Sequence, residues 1–545
     1  MWMLRRMSAA GLLLGTLFFA FSLTPSLLPR SFQVQGIIAG LSFGAGYALG
    51  FMATWLWSWL GMPVTARVPV RRAIKATAAV FCLFVASAFL FQATMWQNTL
   101  RGLMDMEEVG GVRPFSVAAI AALVFAGLWL IGFLFRKTFH FLSAHLQRLV
   151  PPRVSHLLGL AAAFALFWSV IDGVIFTFAL RVADNSYQQV DVLIQDDLRP
   201  PSDPLKTGSA ASLISWEHLG SRGRPFVIGG PDAEQIAALT GRDAMEPRRV
   251  YVGLNAAETP QQRAQLALDE LLRVGGFDRS VLMLATPTGR GWVNPNAQDT
   301  LEYILGGDVA TVAAQYSYLP SPLSLLFEGE YGVETARAMF RAIYGYWTSL
   351  PHDDRPRLYL SGLSLGALNS DRSFDIYDVI EDPFHGALWS GPPFRSETWR
   401  HVRDWRDDSS PAWLPQFRDG SVVRFMNQHQ RLRDSDVDWG RFRIGFLQYG
   451  SDPVTFYEPR ALFREPAWMR GERAPDVSPD LRWFPVVTLL QLTADILSSS
   501  GPGSAPPGHG HEYSALHYID AWVDLMEPEG WTEQDSNRLK AFFRQ

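Results

Sequence analysis

The run Gly362-Leu363-Ser364-Leu365-Gly366 (GLSLG) places a serine between two glycines, each two positions away. A sharp strand-to-helix turn that presents a nucleophilic hydroxyl needs this spacing, because only small flanking residues let the backbone pack so closely. The pattern alone is weak. Its context strengthens it: the β-type run RLYL at 357–360 leads into it, and Ala367-Leu368-Asn369 can open a helix after it. A serine hydroxyl is a poor nucleophile until a base takes its proton, so a histidine and an orienting carboxylate are expected. In this fold they follow in the chain order serine, acid, histidine. Asp452 is the expected acid, since it follows RIGFLQY (443–449), which reads as a strand. Asp434, Asp436 and Asp438 form a solvated charged run that no strand delivers to a site. The expected base is His511, with His509 as the alternative; His511 lies nearer the helix expected from about 514 to 526. His385 and His429 precede the acid and fit the order badly, and His517 falls inside that helix. For the oxyanion, the backbone N–H of Leu365 is one donor. The second is expected from the TPTGRGW turn at 286–292: Thr288, with Gly289 as the alternative, Pro287 having no N–H.

Such a site needs a sheet to carry it. RVYVGL (249–254) and SVLMLA (280–285) suit strands, and 259–274 and 333–350 carry helical spacing. Alternation of this kind predicts a mostly parallel sheet with helices on both faces, an α/β-hydrolase architecture. The expected organisation is a transmembrane helical domain over 1–183, a linker over 184–213 broken by Pro200, Pro201 and Pro204, and a catalytic domain over 214–545. The stretch 498–510 (SSSGPGSAPPGHG) reads as a flexible loop.

The first third has a different character. Five stretches, 9–28, 36–60, 73–96, 115–135 and 154–180, approach the roughly 20 apolar residues that cross a bilayer. Arg5 and Arg6 precede the first; Arg67, Arg71, Arg72 and Lys75 join the second to the third; Arg136, Lys137, Arg148 and Arg153 join the fourth to the fifth. The alternate loops are poor in net basic charge, so the positive-inside rule puts the N-terminus in the cytoplasm and the catalytic domain outside it. Trp55, Trp57 and Trp59 read as interfacial anchors, and Asp172 as an ionisable group facing the bundle interior. The formal charge of −5 gives no reason to expect nucleic acid as a partner. The single cysteine, Cys82, rules out a disulfide within the chain. No metal or organic cofactor is expected.

Four separated segments, TPTGRGWVNP, GGDVATVAAQYSYLPSPLS, RPRLYLSGLSLGA and GHGHEY, resemble the alpha/beta-hydrolase 9 family. Those are bacterial proteins with an N-terminal multi-helix membrane domain and a C-terminal hydrolase domain. The resemblance covers nearly the whole chain and implies Ser364 as nucleophile and a bacterial inner-membrane location. It implies no substrate. The expected activity is ester hydrolysis on a lipid or other acylated envelope component, because the anchor would hold the site near the bilayer. Tyr316, Tyr318, Leu319, Leu323, Leu325, Leu326 and Phe327 are candidates to line an acyl pocket, and core packing explains them equally well. Two other functions fit the same residues: an acyltransferase using an alcohol acceptor, and a catalytically inactive membrane scaffold or sensor.

Overall fold

The computed structural model describes residues 7–63, 67–111, 113–169, 191, 198–319, 331–499 and 505–544. The chain divides into two compact units, one of Met1–Val182 with Glu458–Ser504, the other of Ala183–Tyr457 with Ala505–Gln545. Residues 458–504 therefore group with the N-terminal helices, although sequence reading places 214–545 in one domain.

In the first unit, helices α1 (Ala9–Ser22), α2 (Phe32–Trp59), α3 (Val68–Leu103), α4 (Pro114–Leu146) and α5 (Pro152–Trp168) follow one another. By length and composition, α2, α3 and α4 are long and apolar enough to cross a membrane. Five such stretches are expected from sequence. The difference lies at the two ends: α1 stops after 14 residues, ahead of Pro25, so it spans about 21 Å against a core of about 30 Å. The fifth expected stretch runs beyond α5 into residues outside those described, and Asp172 lies there too. Trp55, Trp57 and Trp59 are all exposed on α2. Small residues let these helices close on one another: a Cβ at Gly50 would lie 2.5 Å from the Ala10 carbonyl oxygen, and one at Gly40 2.7 Å from Val124 Cβ.

The helix Val487–Ser498 joins this unit through a buried polar contact. Asp495 is fully buried and accepts from Arg30 Nε at 3.0 Å, Ser26 Oγ at 2.9 Å and the Leu27 N–H at 3.1 Å. Phe484 stacks on Phe21 with ring centroids 3.9 Å apart. An ion pair taken out of water is tolerated only with this degree of satisfaction.

The second unit is built on a sheet of seven strands: β1 (Arg248–Val252), β2 (Val281–Thr286), β3 (Val309–Ala314), β4 (Arg357–Leu363), β5 (Gly386–Ser390), β6 (Val423–Met426) and β7 (Arg443–Leu447). Their order is β1-β3-β2-β4-β5-β7-β6, and every pairing is parallel. The inner strands are apolar without alternation, as in VLMLAT and VATVAA, because both faces are covered. Helices α6 (Gly220–Ile228), α7 (Pro260–Arg273), α8 (Pro295–Ile304), α9 (Tyr331–Ser349), α10 (Leu365–Asp371) and α11 (Ala515–Met526) supply much of that cover. α7 packs on α9, and α8 on α11. Thr259 starts α7 with a capping box to Gln262 and a proline at the first turn, which explains why the sequence marks this boundary sharply.

Candidate active site

β4 runs directly into α10, and Ser364 is the residue between them. Its backbone sits at φ 56°, ψ −124°, a conformation that costs a non-glycine residue free energy and is held by its surroundings. The Ser364 N–H donates to the Ser390 carbonyl at 2.9 Å. The two glycines of the motif explain themselves by contact. A Cβ at Gly362 would lie 2.3 Å from the Gly366 carbonyl carbon, and one at Gly366 would lie 2.2 Å from the Thr286 oxygen. The elbow is thus pressed against itself and against the end of β2. Ser364 is buried, only 5% exposed.

Asp452 lies just past β7 and caps the short helix Pro453–Phe456. Its Oδ1 accepts from the N–H groups of Val454 at 2.8 Å and Thr455 at 3.4 Å. Its Oδ2 accepts from Thr455 Oγ1 at 3.1 Å, His511 Nδ1 at 2.8 Å and the Tyr513 hydroxyl at 2.8 Å. An ionised carboxylate only accepts, so the proton shared with His511 sits on Nδ1 and leaves Nε2 with its lone pair. Burial works against protonation of His511. The charge of Asp452 and its hydrogen bond outweigh that, so the imidazole pKa is raised above its ordinary value. The Gly510 N–H donates to Ser451 Oγ at 2.9 Å, tying the GHGH loop to the loop of the acid.

Gly391 links the two halves. It follows Ser390, the acceptor of the Ser364 N–H, and a Cβ there would lie 2.8 Å from His511 Cε1 and 3.0 Å from Asp452 Oδ2. Ser364 and the His511 imidazole therefore border one peptide unit. Among the described residues no hydrogen bond joins Ser364 Oγ to His511; in sites without substrate such bonds are often long.

The other histidines fall elsewhere. His509 forms a bridge with Glu512, and its N–H donates to the Pro506 carbonyl. His385 accepts from the Leu358 N–H at the opposite end of β4, and burial pushes its pKa down to about 4. His517 bonds the Tyr449 hydroxyl at 2.6 Å and is likewise depressed to about 4 by burial. The His429 N–H donates to Asn427 Oδ1. Asp434, Asp436 and Asp438 are exposed.

The expected oxyanion donors divide. Leu365 is the first residue of α10, so its N–H has no acceptor within the helix. The other two are engaged: the Thr288 N–H donates to the Trp292 carbonyl at 2.9 Å, and the Gly289 N–H to the Tyr316 hydroxyl at 3.0 Å. Both N–H groups of this turn thus have protein acceptors, and the short bridge between Thr288 and Trp292 closes the turn on itself. Of the residues expected to line an acyl pocket, Tyr316 and Leu319 are buried and Tyr318 bonds Asn255. Leu323, Leu325, Leu326 and Phe327 lie outside the described residues. Between β2, β3 and α9 lies only a narrow crevice, lined by Leu284, Pro287, Tyr316, Ala336 and Met339.

Sequence reading missed Tyr513 and Thr455 as partners of the acid. The signal for Thr455 was present, since Asp-Pro-Val-Thr is a helix start in which the aspartate caps the third position. Tyr513 belongs to the GHGHEY segment but gives no local hint of its partner. Tyr449 stacks on it with ring centroids 4.4 Å apart.

Residues 248–539 match the model of an alpha/beta-hydrolase family, and residues 23–231 match the model of that family's N-terminus. No curated protein matches the chain. Among solved structures, a Trichoderma reesei cutinase in complex with a C11Y4 phosphonate inhibitor is similar at 14% identity, over 44% of this chain and 87% of that one. Its TM-score is 0.20, too low to carry any inference.

Proposed function

The chain belongs to the alpha/beta-hydrolase family, and from that premise we propose that it is a membrane-anchored serine hydrolase cleaving carboxylic esters through an acyl-enzyme. The observation that carries this reading is the buried bond of 2.8 Å between His511 Nδ1 and Asp452, beside the peptide that receives the Ser364 N–H. With its Nδ1 proton held by Asp452, His511 takes the Ser364 proton on Nε2 as Oγ attacks the ester carbonyl. The Leu365 N–H donates to the oxyanion that forms. A second donor becomes available when the Gly289 N–H exchanges the Tyr316 hydroxyl for that oxyanion, a stronger acceptor because it is charged. His511 then protonates the leaving alcohol, and water, activated by the same imidazole, releases the acid.

The three long apolar helices fit a membrane anchor. The distribution of arginine and lysine between the connecting segments favours a cytoplasmic N-terminus with the catalytic unit outside. A lipid or acylated envelope component is then the substrate nearest to hand.

The test is covalent labelling by a fluorophosphonate probe. Wild-type protein labels, and Ser364→Ala does not. Folded wild-type protein that stays unlabelled would remove the serine hydrolase reading.

A further inference from the structure

The segment TPTGRGWVNP, 286–295, contains a residue that the hydrolysis proposed above does not use. Asn294 caps α8, its Oδ1 accepting from the Asn296 N–H at 2.9 Å. Its Nδ2 reaches another element and donates to the Tyr518 hydroxyl at 3.4 Å. Tyr518 lies in the first turn of α11 and is only 2% exposed. The same hydroxyl shares a hydrogen bond with the Ser390 side chain. Burial raises the phenol pKa and these two bonds lower it less, so the hydroxyl stays protonated. One phenol therefore joins the start of α8, the start of α11 and the end of β5.

Ser390 is where this joint meets the candidate active site. Its carbonyl accepts from the Ser364 N–H at 2.9 Å. The N–H of the same peptide unit, on Gly391, donates to the Leu447 carbonyl at 2.9 Å. A Cβ at Gly391 would meet His511 and Asp452, so that side of the unit is filled as well. The backbone is thus fixed from the elbow and from β7, and Tyr518 fixes the side chain of Ser390. Thr286, Asn294, Gly362, Ser390, Tyr518 and Trp522 line one narrow crevice beside the elbow. Trp522, one turn after Tyr518, donates from Nε1 to the Ala297 carbonyl at 2.9 Å. Asn296 Nδ2 donates to the Tyr513 carbonyl at 3.0 Å, so α8 also holds the segment that follows His511.

Ser364 needs bracing of this kind. Its φ of 56° is a conformation that its surroundings must impose. Attack also demands close alignment of hydroxyl and imidazole, and a misplacement of about 1 Å slows such a reaction by roughly a hundredfold.

We propose that Tyr518 is a positioning residue for the acyl transfer: through Ser390 it fixes the peptide unit that receives the Ser364 N–H and borders the His511 imidazole. The assignment rests on the serine hydrolase reading and adds a part to its machinery. The bonds of the hydroxyl go to Ser390 and Asn294, so its loss changes placement and leaves the charge of Asp452 acting on His511 as before.

The experiment measures the second-order rate and the final extent of fluorophosphonate labelling in the full chain in detergent, from about pH 5 to about pH 9. It compares the wild type, Tyr518→Phe, Ser390→Ala and the double variant. Each single substitution slows labelling by about tenfold at every pH, with the midpoint unmoved and labelling still running to completion. The double variant is no slower than either single one, because both substitutions break the same bond. A role in folding alone would lower the final extent and leave the rate of the folded fraction unchanged, and that result overturns the assignment. Additive losses in the double variant overturn it too, as does a midpoint that shifts. If Tyr518→Phe does not fold, Ser390→Ala decides alone, since it keeps the phenol and its bond to Asn294; a wild-type rate there overturns the proposal. Variants that label like the wild type remove the part of Tyr518 and leave the hydrolase reading standing, whereas a wild type that does not label removes both.

Discussion

Replacing Tyr513 by phenylalanine removes one hydroxyl from the surroundings of Asp452 and leaves the ring that stacks on Tyr449. The carboxylate then keeps four of its five donors, and on Oδ2 only His511 and Thr455 remain. A hydrogen bond to a charged group contributes about 1.5–3 kcal/mol. If roughly half of that is returned to the neighbouring imidazolium, at about 1.4 kcal/mol per pH unit, the His511 pKa rises by about 0.5–1. The sign follows from the role of the base. His511 must be neutral to accept the Ser364 proton, so labelling increases with pH through its pKa. In the wild type that midpoint should lie above the ordinary 6.5, because Asp452 raises it against the opposing effect of burial. In Tyr513→Phe it should move higher still, and at any pH well below the midpoint labelling should slow by about three- to tenfold. The assay is the second-order rate of fluorophosphonate labelling between pH 5 and pH 9, roughly spanning the imidazole range, with thermal unfolding as a check on the fold. A midpoint that stays put or moves down in well-folded variant protein would refute the coupling of Tyr513 through Asp452 to His511.

Two further substitutions probe other joints of the structure. Gly391 has φ 50°, and a Cβ there would lie 2.8 Å from both His511 Cε1 and Tyr513 Cε2; Gly391→Ala should therefore displace the imidazole and slow labelling by about a hundredfold, and labelling at the wild-type rate would place His511 elsewhere. Asp495→Asn leaves the buried Arg30 guanidinium without its carboxylate, a loss of about 3–5 kcal/mol that should appear as an earlier thermal transition in detergent, and an unchanged transition would show that the pair contributes nothing.

The sheet was legible wherever a strand or helix carried its own punctuation. β1, β2, β4 and β7 and the helices at Pro260–Arg273, Tyr331–Ser349 and Ala515–Met526 all fall where apolar pattern and caps place them. β3, VATVAA, is harder to read as a strand, since half its residues are alanine and it has no polar face. The elbow was legible for a local reason: glycines at 362 and 366 are required by contacts that a turn of this sharpness makes with itself. Asp452 and His511, singled out in the chain, are also brought together in the structure. That the acid is met by His511, and that Tyr513 and Thr455 share its oxygens, depends on contacts between segments about 60 residues or only three residues apart.

Local sequence determined the length and apolar character of α2, α3 and α4, the alternation of strand and helix, and the serine at the turn, because each is set by neighbours within a few positions. Tertiary structure alone decided that residues 458–504, lying between Asp452 and His511 in the chain, belong with the N-terminal helices. It likewise decided that the N–H groups of Thr288 and Gly289 are already engaged, and that Gly223 and Gly291 pack on one tyrosine, Tyr251. Such pairings are fixed by which surfaces meet when the whole chain is buried, and no pattern of neighbouring residues records them.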